Sequence, residues 1–173
     1  MRVALVFVVA ACGGGGSDNP PAVDAKIFLD APPPNCLVMA NYGDLGTKMG
    51  TTSLGPTTAT IVLDANPPRD SFFLKLVAGK GVFAGGLANG TYTLAGAELM
   101  QGNCGVCVNM LADIGNQGPT KFYFATGGTV TLTATSPPAG SLANVTLHET
   151  DSGGTALNTG CTTQITAMQF SAQ

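Results

Sequence analysis

Four cysteines in the long C-terminal part of the chain could form disulfide bonds or exchange them: Cys36, Cys104, Cys107 and Cys161. Cys104 and Cys107 have the Cys-x-x-Cys spacing of exchange sites, in which a thiolate stands beside a resolving thiol. Such sites usually open a helix in a βαβ unit, whereas β-type residues surround this pair. The pattern favours structural disulfides over a redox site. Zinc is disfavoured too, because one pair alone has knuckle spacing.

The pairing of these cysteines has two alternatives. If residues 104–111 form one continuous strand, the Cα atoms of Cys104 and Cys107 are about 10 Å apart, beyond the roughly 7 Å limit for a disulfide, and each needs a distant partner. If residues 102–105 form a hairpin loop instead, the pair closes locally and leaves Cys36 and Cys161 to join the first strand to the last. Either pairing would stabilise the domain, and the sequence leaves both open.

Few residues could catalyse a reaction. The chain has one histidine, His148, two glutamates and eight aspartates, and it lacks the Gly-x-Ser-x-Gly pattern of a nucleophile elbow. Alternation in residues 144–148 predicts that Val145 and Leu147 face inward and that His148 faces outward beside Thr146. We therefore expect no catalytic residues and no cofactor. An exported hydrolase that uses His148 or loop carboxylates is the alternative.

Residues 151–154, Asp-Ser-Gly-Gly, could cup a calcium ion, but a turn after a strand explains the same residues without a ligand. We therefore predict a turn there and no metal site in the chain.

Aromatic side chains are the usual contact residues of a binding module, and the candidates here are Tyr42, Tyr92 and Tyr123. Alternation in residues 121–124 can bury Phe122 and Phe124 and expose Tyr123. The chain has no tryptophan, which weakens a carbohydrate-binding interpretation.

The first twelve residues predict an export signal. Arg2 is followed by nine apolar residues and then by Cys12, which is too short a run for a membrane-spanning helix of about 20 residues. The residues 9–12, Val-Ala-Ala-Cys, resemble a bacterial lipobox, in which the cysteine is acylated and becomes the new N-terminus. This resemblance implies a signal peptide at 1–11 and lipidation at Cys12. Gly13 follows, where an Asp would favour inner-membrane retention, so the outer membrane is the expected location.

Residues 12–35 predict a flexible, disordered stalk, because they are rich in glycine and contain two proline clusters that remove backbone donors. The remaining residues, 36–173, are enough for one core. Once Arg2 is removed, six lysines and arginines face ten aspartates and glutamates, so we expect no nucleic-acid partner.

The 36–173 region shows a period of two. In residues 129–135 every threonine alternates with an apolar residue, which is typical of a half-buried strand. Similar runs, separated by Gly, Pro, Asn and Asp, occur at 36–42, 58–65, 72–78, 91–99, 106–114, 121–125, 144–149 and 164–171. They predict an all-β domain, a single antiparallel β-sandwich of about nine strands, with a small β-barrel as the alternative.

Together, the lipobox, the stalk and a threonine-rich, disulfide-bearing β-domain resemble the layout of predicted lipoproteins of Gram-negative bacteria, those of myxobacteria especially. The resemblance implies attachment to the cell envelope and carries over no site residue. We therefore expect a lipid-anchored binding or structural module with an envelope or extracellular ligand.

Overall fold

The computed structural model describes residues 41–66 and 68–173, so the expected signal peptide, Cys12, the stalk and Cys36 lie outside the described residues. The described residues form eight strands and two 3-10 helices. The strands are β1 (Asp44–Gly50), β2 (Thr58–Asp64), β3 (Arg69–Leu76), β4 (Gly90–Thr93), β5 (Val106–Ile114), β6 (Lys121–Thr135), β7 (Pro138–Thr150) and β8 (Thr162–Ala172); the 3-10 helices are Gly81–Phe83 and Gly96–Leu99.

All eight strands belong to one sheet with the order β1-β8-β7-β6-β5-β3-β2, and β4 pairs with the far half of β6. Neighbours are antiparallel except β1 and β8, which are parallel. The two ends of the sheet meet at Thr51 and Thr60, whose backbone amides donate to each other's carbonyls at 2.9 Å. The all-β prediction is therefore confirmed. The architecture is a nearly closed barrel, the alternative that strand spacing alone could not separate from a sandwich.

Several strands match the sequence pattern, with β5 the closest, since its bounds are those predicted. The run at 91–99 is different: its strand ends at Thr93, and a 3-10 helix follows. Strand β1 was not predicted, because its residues show no regular alternation. The two runs at 121–125 and 129–135 are one 15-residue strand.

Gly127 and Gly128 form a bulge that joins those two runs. The glycine pair had indicated a turn at this place. The pairing of β6 with β7 shifts on both sides of Gly127, and Gly128 has φ +123°. A Cβ on Gly128 would lie 2.6 Å from the Cα of Val145. Glycine is therefore required here both by the backbone conformation and by the close approach of β7.

The core lies inside the curled sheet, and the outer face is largely polar. Val130 and Leu132 are buried while the threonines beside them face outward, as the alternation predicts. The largest fully buried apolar side chains come from six of the strands and the first 3-10 helix: Ile61, Phe72, Leu74, Phe83, Val106, Met110, Tyr123, Leu147, Ile165 and Met168.

A compact loop region covers part of the outer face before β5 begins. Glu98 is buried there, and its carboxylate accepts the backbone amides of Val82 at 2.8 Å and Val106 at 2.6 Å. Cys104 precedes the strand and forms a disulfide with Cys107, with a Cα–Cα distance of 5.2 Å. The pair therefore closes locally, as in the second alternative, although the loop follows a 3-10 helix and does not join two strands of a hairpin.

This loop predicts a matched pair of glycine substitutions. A Cβ on Gly105 would lie 2.5 Å from the carbonyl oxygen of Lys80 and 3.0 Å from the amide nitrogen of Phe83, whereas one on Gly102 meets nothing within 4 Å. We expect Gly105→Ala to lower the free energy of unfolding by about 1–3 kcal/mol, because backbone must move. Gly102→Ala should change it by less than about 0.5 kcal/mol. Urea unfolding checks this, and equal midpoints would contradict the packing.

Candidate functional site

The three tyrosines proposed as contact residues do not form an exposed platform. Tyr123 is 1% exposed and Tyr42 is 8% exposed. Tyr92 is half-buried: its hydroxyl donates to the Ala88 carbonyl at 2.7 Å, and its ring packs edge-on against Phe83 with centroids 5.0 Å apart. The predicted exposure of Tyr123 is wrong. Residues 122–124 are all aromatic, so either phase of the alternation was possible, and pairing with the inward Met110 places Tyr123 in the core.

Tyr42 holds a buried carboxylate at one end of the sheet. Its hydroxyl donates a short hydrogen bond to Asp70, whose second oxygen accepts the backbone amide of Asp113 at 3.1 Å. Burial raises the pKa of Tyr42, and the hydrogen bond to Asp70 raises it further. The phenol therefore stays neutral and bridges the segment before β1 to β3, which is a structural role.

Tyr123 and the charged groups around it also serve the fold. The Tyr123 hydroxyl has no hydrogen-bond partner among the described residues, and burial raises its pKa, helped by the negative charge of Glu149. Glu149 accepts the backbone amide of Cys161 at 2.9 Å and lies 3.8 Å from the ammonium group of Lys121. Cys161 is itself disulfide-bonded, while Cys36, its proposed partner, lies outside the described residues. These contacts fix the end of β7 to the start of β8.

His148 faces outward beside Thr146, as predicted, while Val145 and Leu147 are buried. Its Nε2 lies 2.8 Å from the carbonyl oxygen of Leu157, in the loop between β7 and β8. Among the described residues, its side-chain hydrogen bonds reach neither a carboxylate nor a hydroxyl. The histidine therefore positions this loop through its Nε2 atom.

Asp151 caps the same loop. Its Oδ1 accepts the backbone amides of Thr155 at 2.8 Å and Gly153 at 2.9 Å, and these bonds lower the pKa of Asp151. Within the described part of the chain, no group of three or more His, Cys, Asp and Glu side chains could hold a metal ion. Residues 151–154 are thus a turn whose carboxylate binds its own backbone.

Residues 100–105, which connect the second 3-10 helix to β5 and contain Cys104, are called the disulfide loop here. This loop covers one aromatic side chain of the outer face and leaves others open. Cys104, Cys107 and Phe124 form a small buried cluster on that face, with Val77 packed against it. The disulfide is shielded from solvent, since Cys104 is 0% and Cys107 6% exposed. This burial is typical of a structural disulfide. The loop that the disulfide holds also forms one wall of the neighbouring surface, through Gln101.

Beside that wall lies a groove of about 480 Å³ with an apolar floor, and we define it by its lining residues. They are Leu54, Thr58, Phe73, Lys75, Gln101, Asn109, Met110, Leu111, Phe122, Tyr123, Thr150, Asp151 and Ser152. The half-buried floor residues come from three adjacent strands: Phe73 on β3, Leu111 on β5 and Phe122 on β6. Leu111 pairs directly with Phe122. A cavity of this size with a few polar groups is typical of small-molecule sites of about 300–1,000 Å³.

Sequence reasoning missed this groove, although a signal was present. In three strands that become neighbours, two consecutive apolar residues occupy both faces: Phe72-Phe73, Met110-Leu111 and Phe122-Tyr123. One member of each pair must point outward, because side chains alternate along a strand. Only the strand order shows that the three outward residues lie side by side.

Comparison with protein-family models, curated proteins and solved structures gives no match for this chain. Among the described residues, no helix is both long and apolar enough to cross a membrane.

One buried and one exposed carboxylate, those of Asp113 and Asp151, predict a pH dependence of opposite sign. Burial and the charge of Asp70 raise the pKa of Asp113, so its ionised form destabilises the folded state. The penalty is absent well below pH 4 and grows as the pH rises past the ordinary aspartate pKa of about 3.9. We expect Asp113→Asn to raise the free energy of unfolding at pH 7 by on the order of 1 kcal/mol. Asparagine also tolerates the φ of 52° at this position.

Asp151→Asn is the control for Asp113→Asn, because the pKa of Asp151 is lowered and its charged form is stabilising. This substitution should reduce stability at pH 7, and the difference should vanish as the pH falls below the native pKa of Asp151. Thermal unfolding of both variants at pH 3, 5 and 7 checks the signs. A stability of Asp113→Asn equal to wild type at every pH would contradict the buried, unfavourable carboxylate.

Proposed function

We propose that this chain is a lipid-anchored protein of the cell envelope whose β-domain is a non-catalytic binding module, and that the groove on its outer face binds the ligand. The observation that carries the proposal is the apolar floor formed by Phe73, Leu111 and Phe122. The outer face elsewhere carries polar rows such as Thr91 and Thr131, whose hydroxyls lie 3.0 Å apart. Exposing aromatic side chains in a walled groove has a free-energy cost that a bound ligand would recover.

The walls support a binding site over a chance hollow. Gln101 comes from the disulfide loop, and Leu54 comes from the connection between β1 and β2. Asp151 and Ser152 belong to the turn that Asp151 and His148 hold in place through backbone contacts. The groove is therefore largely preformed, which lowers the entropy cost of binding.

Attachment to the membrane is supported by the sequence of residues 9–12 and by the short apolar run before it. An acyl anchor at Cys12 would leave the stalk to carry the domain away from the bilayer. The outer membrane is the proposed location, because Gly13 stands where an Asp favours retention in the inner membrane of familiar lipoproteins.

The anchor predicts a change of cell fraction. The wild-type protein should be recovered with membranes as a chain that begins at Cys12 and is heavier by its acyl groups. Cys12→Ser should move it to the soluble fraction. Intact mass and fractionation measure both. Recovery of an unacylated wild-type chain would reject the anchor and leave the binding module untouched.

The groove predicts binding of an apolar probe, N-phenyl-1-naphthylamine, whose fluorescence rises in apolar surroundings. All proteins carry Cys12→Ser, so that neither acyl groups nor detergent bind the probe. We expect Phe122→Thr and Phe73→Thr to weaken binding about tenfold or more, because each removes roughly 1.5–3 kcal/mol of apolar contact. Threonine keeps the strand preference and matches the rest of the outer face.

Met49→Thr is the matched control for the groove variants, because Met49 is 58% exposed on β1 and does not line the groove. It should leave probe affinity unchanged. Equal affinity of wild type and both phenylalanine variants would reject the groove as the binding site.

A further inference from the structure

Lys75 gives the groove its charge. It lies on the outer face of β3, two residues from Phe73 and therefore about 7 Å further along the same face. Its cross-strand neighbours, Thr58 on β2 and Cys107 on β5, are uncharged. Of the described residues that line the groove, Lys75 alone is cationic.

The charge of Lys75 is not used by the fold. No carboxylate of the described residues lies within ion-pair distance of its ammonium group. Two other lysines have structural contacts, since Lys80 donates to the Gly102 carbonyl at 2.6 Å and Lys121 pairs with Glu149. Lys75 is thus a cation held beside an apolar floor without an internal counter-charge.

The one carboxylate in the groove lining, that of Asp151, forms no ion pair with Lys75. Its Oδ1 accepts the amides of Gly153 and Thr155, so backbone dipoles already stabilise that negative charge. Asn109 and Gln101 add side-chain amides, which can donate hydrogen bonds to a ligand oxygen. The groove therefore combines an apolar surface, one cation without an ion-pair partner, neutral donors and a carboxylate that is bonded to its own turn.

We propose, on the basis of the binding function above, that the groove takes a small amphipathic monoanion. Its flat or branched apolar body would cover Phe73, Leu111 and Phe122, and its carboxylate or sulfonate group would pair with Lys75. This arrangement makes the ligand's charge, as well as its apolar area, a determinant of affinity.

Two probes that differ in one group test this proposal. The compound 1-anilinonaphthalene-8-sulfonate has the skeleton of N-phenyl-1-naphthylamine with an added sulfonate, and both become fluorescent in apolar surroundings. Their affinities are measured for the full chain carrying Cys12→Ser, at low and at physiological ionic strength. The variants are Lys75→Met, which keeps an apolar stem and removes the charge, and Lys75→Arg, which keeps the charge.

Lys75→Met should weaken binding of the sulfonate about fivefold, the ratio that corresponds to a partly exposed ion pair of about 1 kcal/mol. The neutral probe should bind this variant as it binds wild type. Lys75→Arg should retain the affinity for the sulfonate. Added salt should reduce the affinity of the wild type for the sulfonate only modestly. Lys48→Met, which removes a lysine of β1 outside the groove lining, should have no effect.

The failures of the two proposals are distinguishable. If Lys75→Met leaves sulfonate affinity unchanged while Phe122→Thr weakens both probes, the groove binds ligands but the charge assignment is wrong. If Lys48→Met weakens sulfonate binding as much as Lys75→Met, the effect comes from net charge, and the assignment is again wrong. If neither probe binds the wild type, both the inference and the proposed groove function are rejected.

Discussion

Strand β7 passes Gly128 of β6 at a distance that leaves no room for a side chain, since a Cβ there would lie 2.6 Å from the Cα of Val145. The bulge at Gly127 and Gly128 bends one long strand, so that its first half pairs with β5 and its second half with β4. This bend adds to the curl of the sheet, whose two ends meet at Thr51 and Thr60. The single enclosed core and the curved outer face both depend on it.

The same strand divides the outer face into a covered part and an open part. Phe124 lies under the disulfide loop with Cys104 and Cys107, while Phe122, two residues earlier, lines the groove. Glu98 fixes the loop through two backbone amides, and this makes the boundary between the two regions rigid. The groove therefore begins at the edge of the area that the disulfide loop covers, between Phe124 and Phe122.

The polar residues that first suggested chemistry turn out to connect elements of the fold. Tyr42 and Asp70 join the start of the described chain to β3, and His148 and Asp151 hold the loop between β7 and β8. Each forms at least one hydrogen bond to a partner within the chain. The apolar floor of the groove and Lys75, by contrast, received no role from sequence reasoning.

The sequence by itself determined the all-β class, the bounds of β5, the threonine face of residues 129–135 and the outward position of His148, because alternation is a local property with a period of two. It did not determine which aromatic residue of 122–124 faces the core. A run of consecutive apolar residues satisfies both phases equally, and only pairing with Met110 decides between them. Tertiary structure also decided that the two glycines form a bulge and that three outward apolar residues become neighbours, because both depend on strand order and close approach.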